Sequence, residues 1–198
     1  NGSEFTKFHV AAIQLNGDKN TVSFGKFSES ATGDITGGKS NMLSLGSSAT
    51  LTSGNIENLT SLKIAAGASV TQPDKSKYVF KTTLFANNIT GTSGNDSWNI
   101  GNAAQLVAEE LNLGAGNDTL KFGNSDVAHI NSLDMGDGKN TLAIGKDSSI
   151  DIDNLAVASI TQFSIGKDSF LYLANADDYQ AMREKFEKYA SQIKLAEV

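Results

Sequence analysis

Asp151 and Asp153 stand two apart in a run that alternates apolar and polar residues, so both carboxyls fall on one face of a strand. A carbohydrate-acting site uses such a pair as acid and base. With no third acidic or basic partner evident nearby in the sequence, a solvated outer face is the expected setting. His9 and His129 are far apart and lack a neighbouring Ser/Asp or Cys pattern, so neither is expected to catalyse. Glu109 and Glu110 are expected on a helix face. Asp177 and Asp178 are expected at a helix N-terminus, where carboxylates complement the dipole. Cysteine is absent, which excludes thiolate catalysis, thiolate metal sites and disulfides. No phosphate-binding loop, dinucleotide fingerprint or zinc spacing occurs. The chain is therefore read as a non-enzyme with no catalytic residue. The carboxyls that remain are carried on turns: Asp96 and Asp118, each following a Gly-Asn pair.

The elements that position those turns follow from composition and period. Thirty-nine per cent hydrophobic residues over 198 positions are enough to bury a core, while 19 glycines against one proline, with abundant Asn, Ser and Thr, imply frequent sharp turns between short strands. A formal charge of −6 without a basic patch argues against nucleic acid and anionic membranes as partners. No run of apolar residues is long enough to span a membrane as a helix. Residues 1–5 look like a cloning remnant and are set aside.

Three segments repeat at a fixed distance: Gly94-Asn95-Asp96-Ser97-Trp98-Asn99-Ile100-Gly101, Gly116-Asn117-Asp118-Thr119-Leu120-Lys121-Phe122-Gly123, and Gly138-Lys139-Asn140-Thr141-Leu142-Ala143-Ile144-Gly145, each 22 residues after the last. Weaker copies start at Gly17 and Gly38, and Leu59, Leu62 and Ile64 are echoed 101 residues later by Ile160, Phe163 and Ile165. Within each copy a polar turn leads into alternation of period two, which means a strand with one buried face, and each strand ends at a glycine where a Cβ would obstruct the chain. One unit cannot bury its apolar face alone. Stacked coils would place Trp98, Leu120 and Leu142 in one internal ladder and Ile100, Phe122 and Ile144 in another.

The expected fold is thus an all-β parallel β-solenoid of ~22-residue coils over 6–173, about seven to nine in number, with a C-terminal amphipathic helix over 174–198 packed as a cap. An antiparallel sandwich would not keep a fixed period. A leucine-rich-repeat coil suits Leu59-Thr60-Ser61-Leu62-Lys63-Ile64, but that pattern is not sustained. Residues 71–81 are read as a loop or excursion and 103–110 as a short helix. Tyr179, Met182, Phe186, Tyr189 and Ile193 recur at helical spacing, with Asn175 or Asp177 as the N-cap.

Over 91–145 the turns resemble those of the RTX-type (haemolysin-type) calcium-binding repeat proteins. Gly91-Thr92-Ser93-Gly94-Asn95-Asp96-Ser97-Trp98 and Gly114-Ala115-Gly116-Asn117-Asp118-Thr119-Leu120 approximate that family's Gly-Gly-x-Gly-x-Asp-x-apolar nonapeptide. The resemblance implies a calcium ion clamped between coils by Gly94, Asn95, Asp96, Gly116, Asn117 and Asp118, through glycine-exposed carbonyls and carboxylates, as a hard cation requires. Two departures limit it. The family's nonapeptides run in tandem, whereas here the motif occurs once per longer coil. The third copy has Asn140 in place of Asp and inserts Lys139, and Lys39 sits likewise upstream, so those turns are expected to be ion-free. Without an ion, Asn and Asp would stack in ladders that hydrogen-bond the turn backbone.

The functional expectation is a structural or adhesive module of an exported bacterial protein, secreted or at the cell surface and stabilised by calcium. Its partner would be a surface ligand, carbohydrate or host protein. The alternatives are a carbohydrate-binding or carbohydrate-modifying solenoid, which a stripe of exposed aromatics beside carboxylates would favour, and a self-assembling surface protein.

Overall fold

The computed structural model describes residues 6–71 and 77–196, and the proposed remnant 1–5 lies outside them. The period-two segments form a parallel β-solenoid, as the repeat predicts. Its first face is a nine-stranded sheet running from Thr6–Val10 to Ile193–Leu195, and its second is a seven-stranded sheet from Asn20–Phe24 to Ile160–Ile165. A third, narrower face starts with the pair Ile13–Leu15 and Ile35–Gly37. Strands Thr82–Thr92 and Ala104–Gly114 are long because each bends from the first face onto the third.

Parallel in-register stacking turns the repeat into columns of like residues. On the second face Val22, Leu43, Leu62, Trp98, Leu120, Leu142 and Phe163 follow one another. On the first, Leu51, Leu84, Leu106, Ala128, Ile150, Leu171 and Ile193 do so. The third face contributes Ile13, Ile35, Ile56, Ile89, Leu111, Leu133 and Leu155. Three apolar columns meeting inside the coil form the core, and most of their members are fully buried.

The strand-end glycines need their missing Cβ for packing. A Cβ on Gly145 would stand 2.1 Å from the carbonyl oxygen of Gly123 in the preceding coil. The left-handed residue of this turn comes two positions after the glycine and is not itself a glycine: Phe27, Ser48, Ala103, Ser125, Asp147 and Asp168 all have φ between 52° and 60°. The sharp change of direction is therefore imposed by the stack on ordinary residues at a modest strain. Gly145→Ala is expected to lower stability by about 2 kcal/mol through this backbone clash. Gly94→Ala, where no backbone atom lies within 4 Å, should change it by less than about 1 kcal/mol, and thermal melts of the two variants check the difference.

Two sequence expectations need correction. Residues 103–110 are not a helix, because Ala104–Gly114 is a strand paired on both sides, with Ala104, Leu106 and Ala108 buried in alternation and Glu109 and Glu110 exposed at its bend. Packing of the alternate apolar residues overrides the helical propensity of Ala, Gln, Leu and Glu. The terminal helix is also shorter than its spacing suggests. It spans Ala176–Lys185, and Ile193 belongs instead to strand Ile193–Leu195, which pairs with Phe170–Leu173 as the ninth strand. The excursion is an antiparallel pair, Ala68–Thr71 with Lys77–Phe80, whose connecting residues 72–76 lie outside the described set.

Asn175 is the N-cap, its Oδ1 accepting from the backbone N–H groups of Asp177 and Asp178. The helix folds over the last coil. Met182 is buried, Phe163 meets the rings of Phe186 and Tyr189 at 5.4 and 5.5 Å, and Lys185 donates to the carbonyl of Val157. The opposite end of the solenoid has no such cover among the described residues: Phe8 is 47% exposed and, with Ile13, Val22 and Phe24, lines an apolar depression.

Candidate functional site

The Gly-Asn-Asp turns stack directly over one another, and most of their side-chain oxygens accept hydrogen bonds from turn backbone N–H groups. Asp118 Oδ1 accepts from the backbone N–H of Asp96 at 2.8 Å, and Asn140 Oδ1 accepts in the same way from Asp118. Asp96, at the head of this column, turns both oxygens on its own coil, accepting from the N–H of Thr92 at 2.7 Å and from its hydroxyl at 2.8 Å. A parallel asparagine ladder runs the other way. Asn95 Oδ1 accepts from the N–H of Asn117, and Asn117 Oδ1 from that of Lys139, each at 2.8 Å. Lys139 has no acceptor with which to continue this ladder. Upstream, the Lys39 ammonium lies 3.5 Å from the Asp18 carboxylate, exposed to solvent.

Asn140 shows what the turn asks of the residue in this column. Its Nδ2 donates to the carbonyls of Met135 and Gly136 in its own turn and to that of Ser159 in the next coil. Asn41 does the same with Gly37 and Glu57. Both asparagines sit where the next strand shifts register, at Leu59 and Ile160, so the 101-residue echo marks two copies of one bulge. In Asp118 the atom corresponding to that amide nitrogen is Oδ2, which is buried and has no hydrogen-bond partner. Burial raises the pKa of Asp118, and the neighbouring Asp96 charge raises it further against the lowering bond from the Asp96 N–H. Asp96 is raised as well, mainly by burial, with the Thr92 bonds opposing.

Among the six residues expected to hold calcium, the structure thus brings Asp96 and Asp118 together in one buried column, and Asn95 beside Asn117. The glycines serve close approach, Gly116 passing so near the Gly94 carbonyl that a Cβ would lie 2.4 Å from it. Only Asp118 Oδ2 is an uncommitted side-chain oxygen. Calcium takes six to eight oxygens, so this hydrogen-bonded arrangement is not a complete shell for it. Among the described residues no three His, Cys, Asp or Glu groups converge on one point in metal-binding geometry. Comparison of the chain with family models, with curated proteins and with solved structures finds no match.

A second buried column was not singled out in the sequence. Asp126 Oδ1 accepts from the N–H of Ala104 at 2.9 Å and Oδ2 from that of Gly123, while the N–H of Asp126 donates to Ser148 Oγ and that of Ser148 to Ser169 Oγ. Burial pushes the Asp126 carboxyl up to about 6, against the bonds from Ala104 and Gly123 and the charge of Lys81. The period itself was the signal, since 126, 148 and 169 follow at 22 and 21 residues.

The remaining acidic and imidazole groups are outward. His9 is exposed on the first coil, far from the others. His129 pairs in register with Asp151, which supplies the basic partner that sequence proximity did not show. Asp153 lies on the same strand. Asp178 Oδ2 accepts from the N–H of Leu155 at 2.8 Å, tying the cap helix to the third face.

Proposed function

We propose that this chain is a structural module of an exported bacterial protein, a stiff rod that spaces or presents other surfaces. The observation that carries this reading is the unbroken stack. Nine strands on one face, at the usual spacing of ~4.8 Å, make a rod about 38 Å long, with side-chain ladders bonding the turns of successive coils and a helix closing one end. The test is single-molecule energy transfer between dyes placed on the first and last coils. A rod gives one narrow distance, close to that between the two labelled coils in the stack. A broad or multimodal distribution removes the reading.

A second element of the proposal is that an ion reinforces the turns, and Asp118 Oδ2 favours it as the buried carboxylate oxygen left without a partner among the described residues. Asp96, Asn95 and Asn117 would join the ligand set only by giving up bonds they now make in the turns, whereas the carbonyls of Gly94 and Gly116 would join it without that cost. Calcium would then stabilise the fold by mass action. A third element is association through the end that no described residue covers, supported by the exposed Phe8 and the apolar depression beside it. Sedimentation over a concentration series should show mass rising with concentration, and Phe8→Ser should suppress the rise. A mass that stays monomeric throughout disposes of this element.

A further inference from the structure

We propose that an open groove on the first face, built by His129, Asp151, Asp153, Tyr172 and Asn175, binds a neutral oligosaccharide. The groove holds about 850 Å³, within the range of small-ligand sites, and lies over the last coils. Register sets its axis. His129, Asp151, Tyr172 and Lys194 follow one another on successive strands, so their side chains leave the same face at intervals of ~4.8 Å. Asp153, one step along its strand, and Asn175, at the entry to the cap helix, close the side, and Ala174 leaves room between them.

Four polar side chains of this groove are uncommitted, while the Asn175 amide oxygen is spent on the helix N-cap. Among the described residues, the side chains of His129, Asp151, Asp153 and Tyr172 form no hydrogen bond or ion pair, whereas the buried carboxyls of the turns are spent on backbone N–H groups. Two carboxylates accept from adjacent hydroxyls of a sugar, and the imidazole and phenol can donate or accept. The Tyr172 ring is held in place by Phe170, at 6.1 Å and 49°, which itself lies under the Lys194 ammonium at 5.6 Å. A fixed aromatic face beside polar groups suits the apolar face of a pyranose ring.

Charge narrows the class. Burial raises the pKa of Asp151, His129 lowers it and the nearby Asp153 carboxylate raises it. A uronate or sulfated sugar would place a like charge against this pair.

The test is isothermal titration of the full chain with cellohexaose, maltohexaose, hexagalacturonate and hexalysine. At least one neutral hexamer should bind with a Kd of about 1 mM or tighter, while hexagalacturonate does not bind. Tyr172→Ala and Asp151→Asn should each weaken binding about tenfold, with unchanged melting for Asp151→Asn. Phe85→Ala, in the same outward column two coils before His129, should leave it unaltered. In NMR the imidazole signals of His129 should shift on binding and those of His9 should not. The proposal is overturned if neither neutral hexamer binds at ~10 mM. Binding indifferent to both Tyr172→Ala and Asp151→Asn would also overturn it. So would hexagalacturonate binding as tightly as the neutral sugars, or hexalysine binding alone, which would make this a face for cationic peptides.

Discussion

Trp98→Ala is expected to lower stability by about 3–5 kcal/mol and to split a single melting transition into two. Trp98 is fully buried, stands between Leu62 and Leu120 in the second-face column, and its indole N–H donates to the carbonyl of Leu59 at 3.0 Å. Truncation opens the largest cavity any single change in this core can make and strands a buried carbonyl as well. Its place in the chain makes the effect two-stage. Between Ile64 and Ser97 the chain leaves the regular coil for the antiparallel pair at Ala68–Thr71 and Lys77–Phe80 before rejoining the first face at Thr82. The second-face contact between the coils on either side is therefore carried by strand Ser97–Ile100 on strand Leu59–Ile64, with Trp98 at its centre. In a solenoid each coil touches only its neighbours, and stability is close to a sum of nearest-neighbour terms. A weakened junction lets the coils before it melt ahead of those after it. Hydrogen exchange read by mass spectrometry should show protection lost first in 6–64 and retained in 104–173. A uniform loss across both would mean that the coils are coupled by something other than this contact.

The architecture was legible because period and alternation are both one-dimensional signals. Trp98, Leu120 and Leu142 stack as their 22-residue spacing requires, with Ile100 and Ile144 buried alongside. The strand Ala104–Gly114 was hidden by its composition. Ala-Ala-Gln-Leu-Val-Ala-Glu-Glu reads as helix until its neighbours supply the partners that a strand needs, and those lie 22 residues away on each side. The helix was overextended for the opposite reason: Ile193 fits a helical spacing and a strand column equally, and only the Leu171 partner decides. The site was half legible. Asp96 and Asp118 were found because their turns are alike. The facing of His129 and Asp151 is carried by the same period across coils, which proximity along the chain does not express. What no sequence pattern expresses is whether a buried carboxyl is satisfied. Asp96 and Asp118 carry the same motif, yet one has partners for both oxygens and the other for a single oxygen.

That difference makes Asp118→Asn a stabilising substitution. In calcium-free buffer with chelator at pH 7 it should raise stability by about 1–2 kcal/mol, against a loss for Asp118→Ala, which removes the cap on the Asp96 N–H. Asparagine keeps that acceptor and places an amide donor where Asn140 and Asn41 have theirs, and it removes one of two like charges stacked in a buried column. The pH dependence has a definite sign. Asp96, Asp118 and Asp126 all have folded-state pKa values above the ordinary 3.8, so the folded chain binds protons more tightly than the unfolded chain. Their contribution is therefore most favourable below about pH 4 and is lost as pH rises through the raised values. For Asp126 that window runs from 3.8 to about 6, on the order of 2–3 kcal/mol. Asp126→Ser, which copies Ser148 and Ser169, should flatten the Asp126 part of the profile, and Asp118→Asn the Asp118 part. Calcium then separates the two ways of meeting Asp118 Oδ2. A wild-type melt raised by calcium, beside an Asp118→Asn melt indifferent to it, assigns a cation to the turn. Calcium-indifferent melts of both, with the wild type gaining more stability on acidification than Asp118→Asn, assign a proton.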